Sequence, residues 1–111
     1  MDINSVTLSG RVYDMGFNPT INPSAIGVAE GKLRVVTSRD GDKNKVVSEF
    51  SIRAYGKKSV WISGVEDGTM VAVQGVICEE KRVNASDPTT TRSKVYIDIA
   101  CMKVLGERED D

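Results

Sequence analysis

Two glycines fall on the apolar face of otherwise regularly alternating runs, and this constrains the fold more than any other feature of the chain. In Ser5-Val6-Thr7-Leu8-Ser9-Gly10-Arg11-Val12-Tyr13, Val6, Leu8 and Val12 share one face with Gly10, while Thr7, Ser9, Arg11 and Tyr13 take the other. From Thr69 to Arg82 the same period puts Val71, Val73 and Ile77 on one face with Gly75. A glycine in the middle of a strand marks a bulge or a sharp coil. Strands of a small closed barrel have to coil strongly, so these positions predict one.

The remaining segments fill in the order. Lys32 to Ser38 alternates Leu33, Val35 and Thr37 against Arg34, Val36 and Ser38. Arg39-Asp40-Gly41-Asp42-Lys43-Asn44-Lys45 reads as a charged hairpin turn with Asp-Gly as its signal. Val46 to Tyr55 follows, with Ser48, Phe50, Ile52 and Ala54 on the core face and Glu49, Ser51, Arg53 and Tyr55 opposite. Gly56-Lys57-Lys58-Ser59 breaks the alternation. Ser59 is expected to cap a short helix running through Val60-Trp61-Ile62 towards Val65, with Trp61 plugging the barrel base. Lys94 to Val104 sets Val95, Ile97, Ile99 and Cys101 against Tyr96, Asp98, Ala100 and Met102. Two stretches read as long loops: 14–31, with Gly16, Pro19, Pro23, Gly27 and Gly31, and 83–93, with Pro88 and a threonine run. Five short strands with one helix between the third and fourth give an all-β class, a five-stranded Greek-key OB-fold barrel.

Composition narrows the function. The 111 residues suit one domain, 1–106, followed by a short acidic tail, 107–111. No apolar run approaches the ~20 residues a membrane span needs. The first residues carry neither basic nor apolar signal character, so a cytoplasmic setting is expected. Cys78 and Cys101 are far apart in sequence and there is no histidine, so no metal or cofactor site is expected and the two thiols are read as reduced and packed near the core. Without histidine, or any nucleophile–base pair, an enzyme is not expected. Net charge is −1, but Glu107 to Asp111 hold four acids and one base, leaving a body with fourteen basic and twelve acidic residues. Such asymmetry hints at a nucleic-acid contact with an appended acidic tail.

In an OB barrel, oligonucleotides lie on the face of strands 2 and 3. That surface would carry Arg34, Arg53 and Tyr55, with Arg11 and Tyr13 from strand 1 at its edge. The hairpin adds Arg39, Lys43 and Lys45; Lys57 follows Tyr55-Gly56; the second long loop adds Lys81, Arg82, Arg92 and Lys94. Cations spaced along a groove meet phosphates and release counterions, while aromatic faces stack unpaired bases. Each residue also has a plainer reading. Alternating arginines suit any half-exposed strand, Tyr55 and Tyr96 suit exposed strand positions, and Lys57-Lys58 suits a charged helix start.

Taken in order, the blocks resemble the bacterial and phage single-stranded DNA-binding proteins. Asn4-Ser5-Val6-Thr7-Leu8-Ser9-Gly10-Arg11-Val12 is similar to their opening, an Asn-x-Val-x-Leu-x-Gly-x-Val pattern. Phe50 to Lys57 resembles a third strand ending in aromatic-Gly-Lys, Gly68 to Gly75 a fourth strand, and Lys94 to Gly106 the closing one. The resemblance implies sequence-independent binding and protection of single-stranded DNA in replication, recombination or repair. It implies assembly into dimers or tetramers and contact with replication proteins, and it makes Tyr55 the stacking aromatic. The chain departs from that pattern where tryptophans are usual: Ser38 to Gly41 and Lys81 to Asn84 contain no aromatic. Glu109-Asp110-Asp111 lacks the apolar tip of the family's tail, and the long linker is absent, which points to a short phage-type member in a host cytoplasm. Two other readings stay open: an OB-fold replication-assembly module that contacts protein first, and an RNA-binding OB domain.

Overall fold

Around the middle of the barrel each strand buries the side its alternation predicts, while Phe50 and Val95 on the predicted core faces of their strands stay exposed. A computed structural model describes residues 2–19, 27–39 and 44–106. Its elements run β1 (Val6–Pro19), β2 (Gly27–Arg39), β3 (Asn44–Tyr55), α1 (Lys58–Ile62), β4 (Met70–Asn84) and β5 (Asp87–Gly106). The strands close in the order β1-β2-β3-β5-β4, with β4 returning to β1. All neighbours are antiparallel except β3 and β5, which meet in parallel through Ile52↔Ile97 and Arg53↔Asp98. This is the five-stranded OB barrel, with its helix between β3 and β4. Val12, Ala29, Leu33, Ile52, Ala54, Val71, Val73, Ile97, Ile99 and Met102 fill the interior.

The two inward glycines are sites of close backbone approach. A Cβ on Gly10 would overlap the Arg34 carbonyl oxygen, and one on Gly75 would overlap that of Asp98. At these points β2 lies close against β1 and β5 close against β4, leaving no room for a side chain.

Several expectations are corrected. Of the 14–31 stretch, residues 14–19 and 27–31 are strand, and 20–26 lie outside the described residues. β1 continues to Pro19 and pairs with β2 from Gly27 onward, after a register shift between Tyr13 and Gly16 where Asp14 has φ 57. Asp14 is held there by its N–H, which donates to Asp67 Oδ1 at 2.9 Å. Most of the 83–93 stretch is likewise strand, paired Val83↔Thr91 and Arg82↔Arg92, with the turn confined to residues 85–86 and a register shift after Val83. Its β-branched threonines suit a ribbon, and Asp87 Oδ1 organises the turn by accepting from Thr89 N–H (3.1 Å) and Thr89 Oγ1 (2.7 Å).

The predicted faces of β4 and β5 also change partway. Between Gln74↔Cys101 and Gly75↔Ile99 the register shifts, leaving Ala100 as an extra residue on β5. One extra residue inverts a period of two. Met102 is consequently buried and Cys101 exposed, the reverse of the alternation. Ile77, predicted inward, is 50% exposed, because beyond Gly75 the β4–β5 ribbon carries it off the core. Phe50 keeps the core side but is 37% exposed.

At the barrel base Ile62 is fully buried and Trp61 is 48% exposed, so isoleucine plugs the base instead of tryptophan. Ser59 is not the N-cap, a position held by Lys57 without a side-chain hydrogen bond. Ser59 lies inside α1, buried, and its Oγ donates to the Gly56 carbonyl at 2.6 Å.

Candidate nucleic-acid interface

The residues that face outward on β1, β2, β3 and β5 form ordered rows. Register places Arg11 beside Arg34 beside Glu49, Tyr13 beside Lys32 beside Ser51, and Glu30 beside Arg53 beside Asp98. Val28 stands beside Tyr55, and Tyr96 lies on β5 opposite Cys78. The period of two thus brings all three tyrosines of the chain to one outer surface.

Two arginines tie neighbouring rows together. The Arg34 guanidinium carbon lies 4.5 Å from the Tyr13 ring centroid, and its Nη2 is 3.7 Å from Glu49 Oε2. Lys32 Nζ holds the other Glu49 oxygen at 3.3 Å. The Arg53 guanidinium carbon lies 4.1 Å from the Tyr96 centroid. Its Nη2 donates to Glu80 Oε2 at 2.7 Å and its Nε is 3.5 Å from Glu30 Oε1. Tyr55, two residues on from Arg53 along β3, adjoins this second group.

The two arginines sit in different surroundings. Arg34 has 47% of its side chain exposed and Arg53 12%. Burial works against the Arg53 charge, but hydrogen bonds to Glu80 and Tyr55 and the nearby Glu30 charge outweigh it and hold the guanidinium above its already high range. The hydrogen bond to Tyr55, then burial, push the Tyr96 hydroxyl up to about 12.

A cleft of about 440 Å³ is lined by Glu30 of β2, Arg53 of β3, Glu80 of β4 and Arg92, Ser93 and Lys94 of β5. A second hollow of about 190 Å³ adjoins it, sharing Glu30, Arg53 and Lys94 and reaching Asp14 and Lys32. The surface is therefore mixed in charge, with carboxylates on its floor.

Of the residues singled out from sequence, Tyr13, Arg34, Arg53, Tyr55, Arg92 and Lys94 come together here. Lys57 is exposed just past Tyr55. Lys45 is exposed further out on the β2–β3 hairpin, opposite Ser38. Lys81 is exposed on β4, 3.5 Å from Glu79. Arg39 and Arg82 are placed by backbone pairing alone, at the end of β2 and opposite Arg92. Lys43 lies outside the described residues, as does the tail 107–111. Arg11 does not point to the cleft: its Nη1 donates to the Gly68 carbonyl at 2.7 Å and ties β1 to the segment before β4.

Sequence reasoning left out Lys32 and the acidic members Glu30 and Glu80, and treated Tyr96 only as an exposed strand residue. Lys32 is two residues from Arg34 and could have been found by period alone. Tyr96 could not, because its place beside Arg53 depends on the parallel β3–β5 pairing.

No protein-family model matches the sequence, and no curated protein matches it. Solved structures do share its fold. A Plasmodium falciparum single-stranded DNA-binding protein in complex with single-stranded DNA superimposes with a TM-score of 0.77 at 17% identity, over 95% of this chain and 97% of that one. A small single-stranded DNA-binding protein from Streptomyces coelicolor gives 0.70 at 18% identity, over 94% and 95%. The mitochondrial counterpart from S. cerevisiae gives 0.63 at 12%, over 96% and 99%.

Proposed function

We propose that this OB barrel binds single-stranded DNA with little sequence choice, through the outer face of β1, β2, β3 and β5. The observation that carries this reading is the convergence of Tyr13, Tyr55 and Tyr96 with Arg34, Arg53, Arg92 and Lys94 on one face beside a cleft. Aromatic rings stack any base, and the cations at the cleft rim meet phosphates, so affinity follows without base-edge readout. Two fold neighbours of matching length, both single-stranded DNA-binding proteins and one in complex with that ligand, support the reading. The role is protective and not catalytic, in replication, recombination or repair in the cytoplasm. Residues 1–106 act as the binding domain and 107–111 as an acidic tail, within a homo-oligomer open to replication proteins.

A second reading, an interaction module that contacts protein first, draws on Glu30, Glu49 and Glu80, which neutralise the central arginines. Titration against oligo-dT, duplex DNA and oligo-rU at two salt concentrations separates the readings. Binding to oligo-dT well above duplex is expected. Equal affinity for duplex and single strand overturns the proposal, tighter binding to oligo-rU moves it to RNA, and no affinity for any of the three favours the interaction module.

A further inference from the structure

The two outward-facing arginines have the same kind of surroundings twice over. Arg34 lies over Tyr13 with Glu49 at its edge, and Arg53 lies over Tyr96 with Glu80 and Glu30 at its edge. A guanidinium held this way is a poor phosphate ligand. On Arg53 a phosphate has to displace Glu80, which accepts from Nη2 at 2.7 Å; on Arg34 the Glu49 carboxylate, 3.7 Å away and shared with Lys32, offsets the charge without a hydrogen bond. The face of a guanidinium is a different matter. It is planar and weakly hydrated, and unpaired bases stack on it as they do on aromatic rings.

We propose that Arg34 and Arg53 serve the bases of the strand and leave the phosphates to the cations at the cleft rim. Arg34, half exposed over Tyr13, is a stacking surface for one base. Arg53, fastened by Glu30 and Glu80 with its guanidinium over the Tyr96 ring, is a positioning residue that sets that ring, beside Tyr55, for another. Tyr13 and Glu49 hold the Arg34 plane from below and from the side. This rests on the single-stranded DNA reading and adds which groups meet which part of the strand. It also reverses the simplest reading of two arginines on a binding face, in which both neutralise phosphates.

Substituting lysine separates the two roles, because Lys keeps the positive charge and loses the planar face. The probes are an oligo-dT and an abasic deoxyribose-phosphate strand of equal length, titrated across a salt series with the full chain, Arg34→Lys, Arg34→Gln and Arg53→Lys. A stacked base is worth about tenfold or more in affinity. Arg34→Lys is therefore expected to weaken oligo-dT binding by about tenfold at every salt concentration, with the slope of log K against log salt unchanged. On the abasic strand, which has nothing to stack, Arg34→Lys and the unmodified protein should bind alike. Arg53→Lys should show the same selective loss, and circular dichroism melting identifies any part of its effect that comes from unfolding. Exposed Arg34 keeps the test decisive if Arg53→Lys is unstable. The inference is overturned if Arg34→Lys matches the unmodified protein on oligo-dT while Arg34→Gln lowers the salt slope by about 0.7, the signature of one lost phosphate contact. Failure of the unmodified protein to bind either strand overturns the proposed function itself.

Discussion

Replacing Gly75 with alanine tests the barrel geometry and its link to the binding face together. Gly75 sits between Val6 of β1 and Ile99 of β5. An added Cβ would overlap the Asp98 carbonyl oxygen, and would lie 2.9 Å from its carbonyl carbon and 3.2 Å from Ile99 Cα. Carbon atoms rest about 3.5–4.0 Å apart, so β5 would have to withdraw by at least half an ångström or so. Overpacking against movable side chains costs about 1–3 kcal/mol. Here the obstacle is strand backbone, so about 3 kcal/mol is expected. With an unfolding entropy of about 2.1 cal/mol/K per residue, each kcal/mol lowers the Tm of a 111-residue domain by about 4 °C. Gly75→Ala should then melt about 12 °C lower in calorimetry. Gly16→Ala is the control, since its Cβ would meet nothing within 4 Å, and it should shift Tm by no more than about 2 °C. Because Asp98 stands opposite Arg53, withdrawal of β5 should also weaken oligo-dT binding at temperatures where the variant is folded. A fall in Tm below about 4 °C would refute the argument, because it would mean that β5 does not cross β4 at this point.

Two further outcomes follow from the barrel base and the tyrosine pair. Ile62→Ala should cost about 2–4 kcal/mol in urea unfolding and Trp61→Ala under about 1 kcal/mol; the opposite order would restore tryptophan as the plug. The Tyr96 hydroxyl titrates at about 12 in the folded chain against an ordinary 10.0, so its contribution to stability is full below about pH 10 and disappears as pH rises towards 12. Stability measured from pH 8 to 12 should therefore fall less steeply in Tyr96→Phe than in the unmodified protein, and superimposable profiles would show that the Tyr55–Tyr96 hydrogen bond does not hold in solution.

The interior was legible because burial follows a period of two. Val12, Leu33, Ile52, Ala54, Val71, Val73, Ile97 and Ile99 all fall on the face that alternation assigns them. Alternation cannot announce where it will break. Ala100 carries no chemical mark of a bulge, yet it reverses the fate of Cys101 and Met102. Polar composition also misled where backbone pairing rules: Gly16 to Pro19 and Thr91 to Ser93 read as loop, yet each is paired strand. The candidate site divides the same way. The arginines and Tyr55 could be found on their strands, but their partners could not. Glu80 is 27 residues from Arg53, and no local pattern relates them.

The short parallel contact between β3 and β5 has a consequence for how the barrel breathes. β4 and β5 are zipped from Met70↔Gly106 to Asn84↔Asp87, while β3 and β5 share only two register pairs. A closed sheet opens first along its least hydrogen-bonded line, and amides there exchange through local fluctuations that leave the rest intact. The Arg53 network straddles that line, with Arg53 on β3 and Tyr96 and Lys94 on β5. Under the proposed function, a strand of nucleic acid laid across it would touch both lips of the seam and act as a staple. Binding energy then appears twice, as affinity for the ligand and as resistance of the seam to opening, because whatever binds only the closed form stabilises that form by the same free energy.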